Sequence, residues 1–434
     1  MNTSPGNFSI GVLGRKIAFS TLVQYAGKGL QLVLAAISLK LISNFLSQGG
    51  YGVYASITEY ALFFSTIANL GIFGNVVRMM AEKPTDSSIF MNSLVLRMIT
   101  ALIFFVSGVA ISFLNGMNSI FIIGTTLFLG SLFFDYVTSV CDGMLQANYE
   151  MGRANFALVL GKIINTSAIF LLTRTFHGDI DIVGMFCVLG IIMSGSFVTA
   201  ALSLFFVSRK IHLKFEWNKT LMIKILDVSV PFGVINIVNN LYFRFLPDYL
   251  SRGALDDVHF ASFNIYFRIA QVLSLASTFL MFSALPALTD AIKEGHKEKA
   301  QKLYRIMRKI LLGGGAVLVI LGSLLGPTVI ALLTHQKYNL PEFWFVLPLM
   351  LVLAAVSYGY DLVLVTLFAA GEDVWFLKRE FLALAVAGVF FLESYAAGDM
   401  STKMALILLG AILGELVMVV AGSKGIKKFF SRAS

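Results

Sequence analysis

Apolar runs of about twenty residues follow one another along the whole chain, and no hydrophilic stretch between them is long enough to hold a soluble domain. A run of that length crosses the hydrocarbon core as an α-helix, because a helix satisfies its backbone hydrogen bonds internally where no water can do so. Only 13% of the 434 residues are charged and 57% are hydrophobic. Ordinary soluble domains carry roughly a quarter and about half. So little charge cannot coat a water-soluble protein of this size, whereas lipid needs no such coat. The fold class is therefore all-α integral membrane.

Runs punctuated by Gly, Pro and charge give about twelve spans. The first half holds roughly 17–45, 52–80, 89–114, 118–146, 153–174 and 181–207; the second holds roughly 226–250, 258–290, 303–325, 343–370, 376–397 and 403–423. Pro231, Pro247, Pro286 and Pro348 fall within or beside spans and are expected to bend them. With both termini placed in the cytoplasm, the loop Lys and Arg residues fall on the inner side, apart from Arg174, Arg252, Lys337 and Lys403. That is a strong positive-inside bias. It accounts for the net charge of +9 without nucleic acid. Met1–Gly14 lacks a charged segment followed by an apolar run and cleavage site, and reads as a cytoplasmic tail.

Chemistry of the enzymatic kind finds little support. Cys141 and Cys187 lie in apolar segments with no disulfide or zinc spacing. The five histidines show no ligand spacing, and there is no phosphate-binding glycine loop, so neither metal nor cofactor is expected. The outer loops are short, which leaves no room for the extramembrane part that a membrane glycosyltransferase or polysaccharide polymerase usually carries.

The two halves echo each other. Tyr51-Gly-Val-Tyr54-Ala-Ser-Ile57 aligns with Phe263-Asn-Ile-Tyr266-Phe-Arg-Ile269, and Met80-Ala-Glu82 with Ile292-Lys-Glu294. A weak repeat between halves is common in transporters, whose substrate sites lie between the repeats. An even number of helices per half implies a parallel pseudo-two-fold repeat: an N-terminal six-helix bundle over 1–213 and a C-terminal one over 214–434. The basic stretch at about 208–226 reads as their cytoplasmic linker.

Six basic residues fall inside spans: Lys28, Lys40, Arg97, Lys162, Arg244 and Arg268. Each would cost about 2.5–3.5 kcal/mol at the bilayer centre, so a deep one must face water or a partner. Lys28, Lys162 and Arg268 lie near half-depth. Lys40, Arg97 and Arg244 sit nearer helix ends, from which long side chains can snorkel. Helical spacing puts Gln24, Lys28 and Gln31 on one stripe, Asn236, Asn240, Arg244 and Asp248 on another, and Asn264, Arg268 and Gln271 on a third. Amides and guanidinium groups suit sugar hydroxyls and phosphate oxygens. They also glue helices together, and Arg244 could simply pair with Asp248. The intramembrane carboxylates are Glu59, Asp135, Asp142, Asp248, Asp361, Glu393 and Glu415. Among them Glu59, Asp135, Asp142 and Asp361 are candidates for proton or sodium coupling.

Leu41-Ile-Ser-Asn-Phe-Leu-Ser-Gln-Gly-Gly-Tyr-Gly-Val-Tyr54, followed by Asn69-Leu-Gly-Ile-Phe-Gly74 and Arg78, resembles the opening of the polysaccharide (O-antigen type) flippase family. Pro231, Asp248, Tyr266-Phe-Arg-Ile269 and Pro286 before a Lys-rich loop fit the same family's second half. The resemblance implies the multidrug/oligosaccharidyl-lipid/polysaccharide exporter superfamily fold, two six-helix bundles around a cationic cavity. It implies a bacterial inner-membrane protein that flips a polyprenyl-pyrophosphate-linked oligosaccharide outward for lipopolysaccharide or other surface glycan. Membrane lipids and other polysaccharide assembly proteins would be its partners. Lys40 stands where relatives often carry Arg, so a phosphate there would lack the bidentate fork. The competing readings are a multidrug or cation-coupled antiporter of the same superfamily and, from another class, the glycosyltransferase or polymerase.

Overall fold

The computed structural model describes residues 10–72, 76, 79–80, 86–148, 150–176, 181–211, 217–338, 344–370 and 373–432, with side chains from Ala26 onward in the first helix. Among the described residues the chain is entirely helical, in thirteen α-helices. These are α1 (Ile10–Phe45), α2 (Gln48–Asn69), α3 (Ser87–Leu114), α4 (Ser119–Ala147), α5 (Met151–Thr175), α6 (Asp181–Ser208) and α7 (Lys219–Asn240). A π-helical turn, Leu241–Phe245, joins α7 to α8 (Leu246–Ala254). Then follow α9 (Asp257–Lys293), α10 (Lys297–Thr334), α11 (Val346–Ala370), α12 (Asp373–Ala396) and α13 (Met400–Arg432).

Every segment read as a span falls on a helix, but hydropathy credits fewer of them. Among the described residues eight helices are long and apolar enough to cross a membrane, or nine if the helix interrupted at Pro231 counts as one span. The polar composition of α2, which carries Glu59, keeps it below that mark. The protein is a multi-pass membrane protein. One expected span is also broken: 52–80 stops at Asn69, where Leu70 (φ 43°) and Gly71 (φ 68°) turn into the left-handed region. A glycine just past a helix end adopts that conformation without a Cβ clash, and the helical run is interrupted there, with helical backbone again at Ile72, Val76, Met79 and Met80.

Contacts divide the chain into two compact units, one comprising residues up to Leu46 together with Tyr60–Val230, the other Ser47–Glu59 together with Pro231–Ser434. In the first unit α1 packs on α5, α3 on α4, α4 on α6 and α5 on α6. Caps set the boundaries. Asp86 accepts from the Ser88 amide at 2.9 Å to start α3, and Asn118 accepts from the Phe121 amide at 2.9 Å to start α4. Helices in lipid gain little from apolar burial, so hydrogen bonds and close packing hold them. Here Tyr60 donates to the Gly108 carbonyl (2.8 Å), Tyr136 to the Ser65 carbonyl (2.8 Å), and Ser38 and Thr166 share a bond of 2.9 Å. Leu102, Ile103 and Val106 of α3 are exposed, as lipid-facing residues should be.

In the second unit α11 is the central helix, 72% buried over its most apolar window, and it packs against α9, α10 and α13. The most apolar window of α10 is only 6% buried, so most of its surface is left for lipid. The start of α2 also belongs here. The Gly-Tyr-Gly segment lets it approach closely: a Cβ on Gly52 would lie 2.4 Å from the Asp257 carbonyl oxygen, a backbone atom that cannot swing away. Gly49, by contrast, has nothing nearer than 4.0 Å. Gly52→Ala should therefore destabilise by about 1–3 kcal/mol through overpacking, while Gly49→Ala changes little. Melting of the detergent-solubilised protein measures both; equal melting temperatures would refute the close approach.

Candidate functional site

The second unit concentrates its charge where α2, the π turn, α8 and α9 meet. Pro247 stands in the first turn of α8 and has no amide hydrogen to give. Just before it the chain widens, with the Leu246 amide bonded to the Leu241 carbonyl over five residues. The widened turn carries Arg244. Its Nε donates to Glu59 Oε2 at 2.9 Å, and its Nη2 donates to Oε2 at 2.8 Å and Oε1 at 3.1 Å. Arg268, on α9, donates from Nη2 to Thr58 Oγ1 (2.7 Å) and from Nε to Asn264 Oδ1 (2.8 Å), and lies 3.7 Å from Glu59 Oε1. Its guanidinium also lies 5.6 Å from the centre of the Tyr54 ring. Asn264 is fully buried and its amide reaches Asp248 Oδ1 at 3.4 Å.

Two guanidinium groups thus meet two carboxylates, and exposure tells them apart. Glu59 is 2% exposed, whereas the Arg244 and Arg268 side chains are 22% and 24% exposed. The carboxylate is the buried anchor and the cations keep an accessible edge. Of the alternatives open to Arg244, its side chain takes the bidentate bond to Glu59 rather than a bond to Asp248 four residues on. Among the described residues Asn240 bonds to the Asn236 carbonyl on its own helix (2.8 Å). Gln271 has a buried Nε2 with no partner among the described residues.

Other residues singled out in the sequence stand apart from this cluster. Lys28 and Gln31 belong to α1 of the first unit; Lys28 is half-buried, and Gln31 Nε2 is buried without a partner among the described residues. The Gln24 side chain lies outside the described residues, as do Gly74, Arg78 and the Pro286 side chain. Lys162 is exposed on α5 and is an electrostatic neighbour of Asp135 on α4, which bonds Ser196. Asp142 has a buried oxygen with no partner among the described residues. Asp361, on α11, accepts from Ser277 (2.5 Å) and Thr278 (2.8 Å). Arg97 does not snorkel: it is 1% exposed, 5.4 Å from the Tyr136 ring, with Nε and Nη1 unpartnered among the described residues. Between the ends of α4 and α5, Glu150 accepts from Arg153 at 2.7 Å and from Lys210. Partial burial works against its charge, but the two cations outweigh it and hold the carboxyl below its ordinary value.

The sequence reading passed over Thr58, Asn239, Tyr242, Tyr360 and Glu380. Glu380 follows Lys378 and Arg379 and so looks like a loop charge, yet it is fully buried. Asn239 was hidden because Asn236 and Asn240 take its place in a strict four-residue stripe.

The profile of a family described as "Polysaccharide biosynthesis protein" matches residues 13–292, more than half of the chain. The chain belongs to that family. No curated protein matches it. Among solved structures it is similar to an inward-facing multidrug resistance MATE family transporter of the MOP superfamily, with TM-score 0.74, 15% identity, and 95% of this chain and 99% of that one covered. A MOP superfamily transporter from Pyrococcus furiosus, described as having a binding pocket of reversed polarity, aligns with TM-score 0.70, 15% identity and 96% of both chains. A MATE transporter in a bent conformation gives TM-score 0.64 at 17% identity, over 97% of both chains. The polysaccharide biosynthesis family member described here therefore has the MOP superfamily fold.

Removing Glu59 would strand two guanidinium groups. Breaking a buried pair from one side costs about 3–5 kcal/mol. Glu59→Gln should lose stability on that scale, and adding Arg244→Gln should restore part of it. Chemical denaturation of the two single variants and the double variant reads the coupling; additive losses would show that the pair does not matter.

Proposed function

We propose that the protein flips a polyprenyl-diphosphate-linked oligosaccharide from the inner to the outer leaflet of a bacterial cytoplasmic membrane, for assembly of a surface polysaccharide. In this reading the chain crosses the membrane about twelve times, with both termini cytoplasmic, as the positive-inside bias supports. Membership of the family described as polysaccharide biosynthesis protein supports this reading, and the fold is one that named transporters use. The observation that carries the substrate class is the pair Arg244 and Arg268, each with an accessible edge, held by one buried carboxylate.

Glu59 already occupies the fork of Arg244 in the geometry that a phosphate oxygen pair would adopt. An incoming diphosphate offers the same acceptors with more charge, and Thr58, Asn264 and Tyr54 stand beside Arg268 to order it. Lys28, Lys162, Gln24, Gln31, Asn240 and Gln271 extend the polar set in this proposal, and Glu59, Asp135, Asp142 and Asp361 supply carboxylates for a coupling ion. Turning a head group across the membrane breaks no covalent bond, so no nucleophile or metal is required.

A second reading, a multidrug antiporter, rests on the fold shared with the MATE structures. The two differ in the charge they select. In a strain lacking its own flippase, Arg268→Ala and Lys28→Ala should cut surface glycan by roughly 10–100-fold at unchanged protein level, the scale of one lost charge-assisted bond. Full glycan with both cations removed, together with drug efflux by the unaltered protein, would favour the antiporter instead.

A further inference from the structure

A second polar cluster in the same unit carries acid without base. Glu380 on α12 is 0% exposed and Glu415 on α13 is 1% exposed, and the two are electrostatic neighbours. No Lys, Arg or His pairs with either among the described residues. Their donors are neutral. Tyr242 of the π turn donates to Glu380 Oε2 at 2.9 Å, and Tyr360 of α11 donates to Oε1 at 2.6 Å. Asn239 of α7 gives its amide to Glu415 Oε1 at 3.1 Å and to the Tyr242 hydroxyl at 2.9 Å. Glu415 Oε2 is buried with no partner at all among the described residues.

The charge count does not close with both groups ionised. Two carboxylates sharing one dry site repel each other, and an isolated buried charge is paired or neutralised. Asp361 adds a third acid acting on Glu415, and it is itself held only by the hydroxyls of Ser277 and Thr278. Among the described residues Tyr242, Tyr360, Asn239 and these three acids are the polar groups that α7, the π turn, α11, α12 and α13 bring to the pair. The donors are also unequally shared. Glu380 has two hydroxyls aimed at it and is equipped to carry charge, whereas Glu415 has one amide and an orphan oxygen and is not.

We propose that Glu380 and Glu415 hold a single proton between them, making a proton-binding site in the second unit distinct from the arginine cluster. The proton resides mainly on Glu415, and Glu380 remains the charged member. Tyr242 lies in the π turn that also carries Arg244, so the two sites share one backbone element. This site does not depend on the identity of the transported substrate.

Difference infrared spectroscopy on the full-length protein in detergent tests it, through the carbonyl stretch of a protonated carboxylic acid in a pH titration. One such band should be present at neutral pH and disappear as pH rises. Glu415→Gln should abolish the titrating band, Glu380→Gln should move its midpoint to lower pH by removing the neighbouring charge, and Asp361→Asn leaves a titrating band. Glutamine mimics the neutral acid, so both variants should fold. If either fails, Tyr360→Phe is the alternative: it removes a donor to the charged form and should move the midpoint to higher pH. A titrating band that survives in Glu415→Gln, a midpoint unmoved in Glu380→Gln, an unaltered protein with no protonated band, or a band discharged by sodium at constant pH would overturn the proposal.

Discussion

The charged cluster at Glu59 constrains the second unit more than any apolar contact does. Helices in lipid have no hydrophobic drive to associate, and an unpaired charge among them costs several kcal/mol. Glu59 at 2% exposure is tolerable only because Arg244 grips it through two nitrogens and Arg268 stands 3.7 Å away. That requirement ties together segments nearly two hundred residues apart in sequence. It recruits the start of α2 into a unit otherwise made of the chain after Pro231. Gly52 then becomes necessary, since α2 can reach its place only by running its backbone against Asp257.

Proline supplies the other half of the arrangement. Pro247 cannot continue the regular hydrogen-bond ladder, and the π turn before it rotates Arg244 and Tyr242 relative to α7. One residue of extra winding sends Arg244 toward Glu59 and Tyr242 toward Glu380. A single local irregularity thus serves both a cationic group and an acidic one. The second unit uses its buried polar residues in two separate networks, one balanced by guanidinium groups and one balanced by neutral donors alone.

Much of this was legible in the sequence. The all-helical membrane class followed from apolar run length, and α3 through α6 begin and end within two residues of the positions read from pattern, because Asp86, Asn118 and the short polar loops punctuate them. The family followed from the Gly-Tyr-Gly segment and its surroundings. Partners were not legible. A four-residue stripe offered Asp248 as one partner for Arg244, and a fixed helical period, to which the π turn is invisible, could not show Glu59 as the partner. Depth along a helix suggested that Arg97 could escape to an end, but its azimuth points it inward under Tyr136. Glu380 was masked by its basic neighbours, since composition cannot say which of three adjacent charges turns inward. Hydropathy also under-reads α2, whose polar residues are the ones the cluster uses.

In the proposed function Arg244 and Arg268 together form an anion-binding edge suited to a lipid diphosphate. The most direct measurement is binding of a polyprenyl diphosphate to the purified protein, compared with its Arg244→Gln/Arg268→Gln variant and with the uncharged polyprenol. The account predicts that the diphosphate binds the unaltered protein well, and that the variant weakens it by roughly 100-fold or more, two charge-assisted contacts at about 1.5–3 kcal/mol each. It also predicts that the polyprenol binds both proteins equally and weakly. Equal diphosphate affinity for the two folded proteins would contradict it.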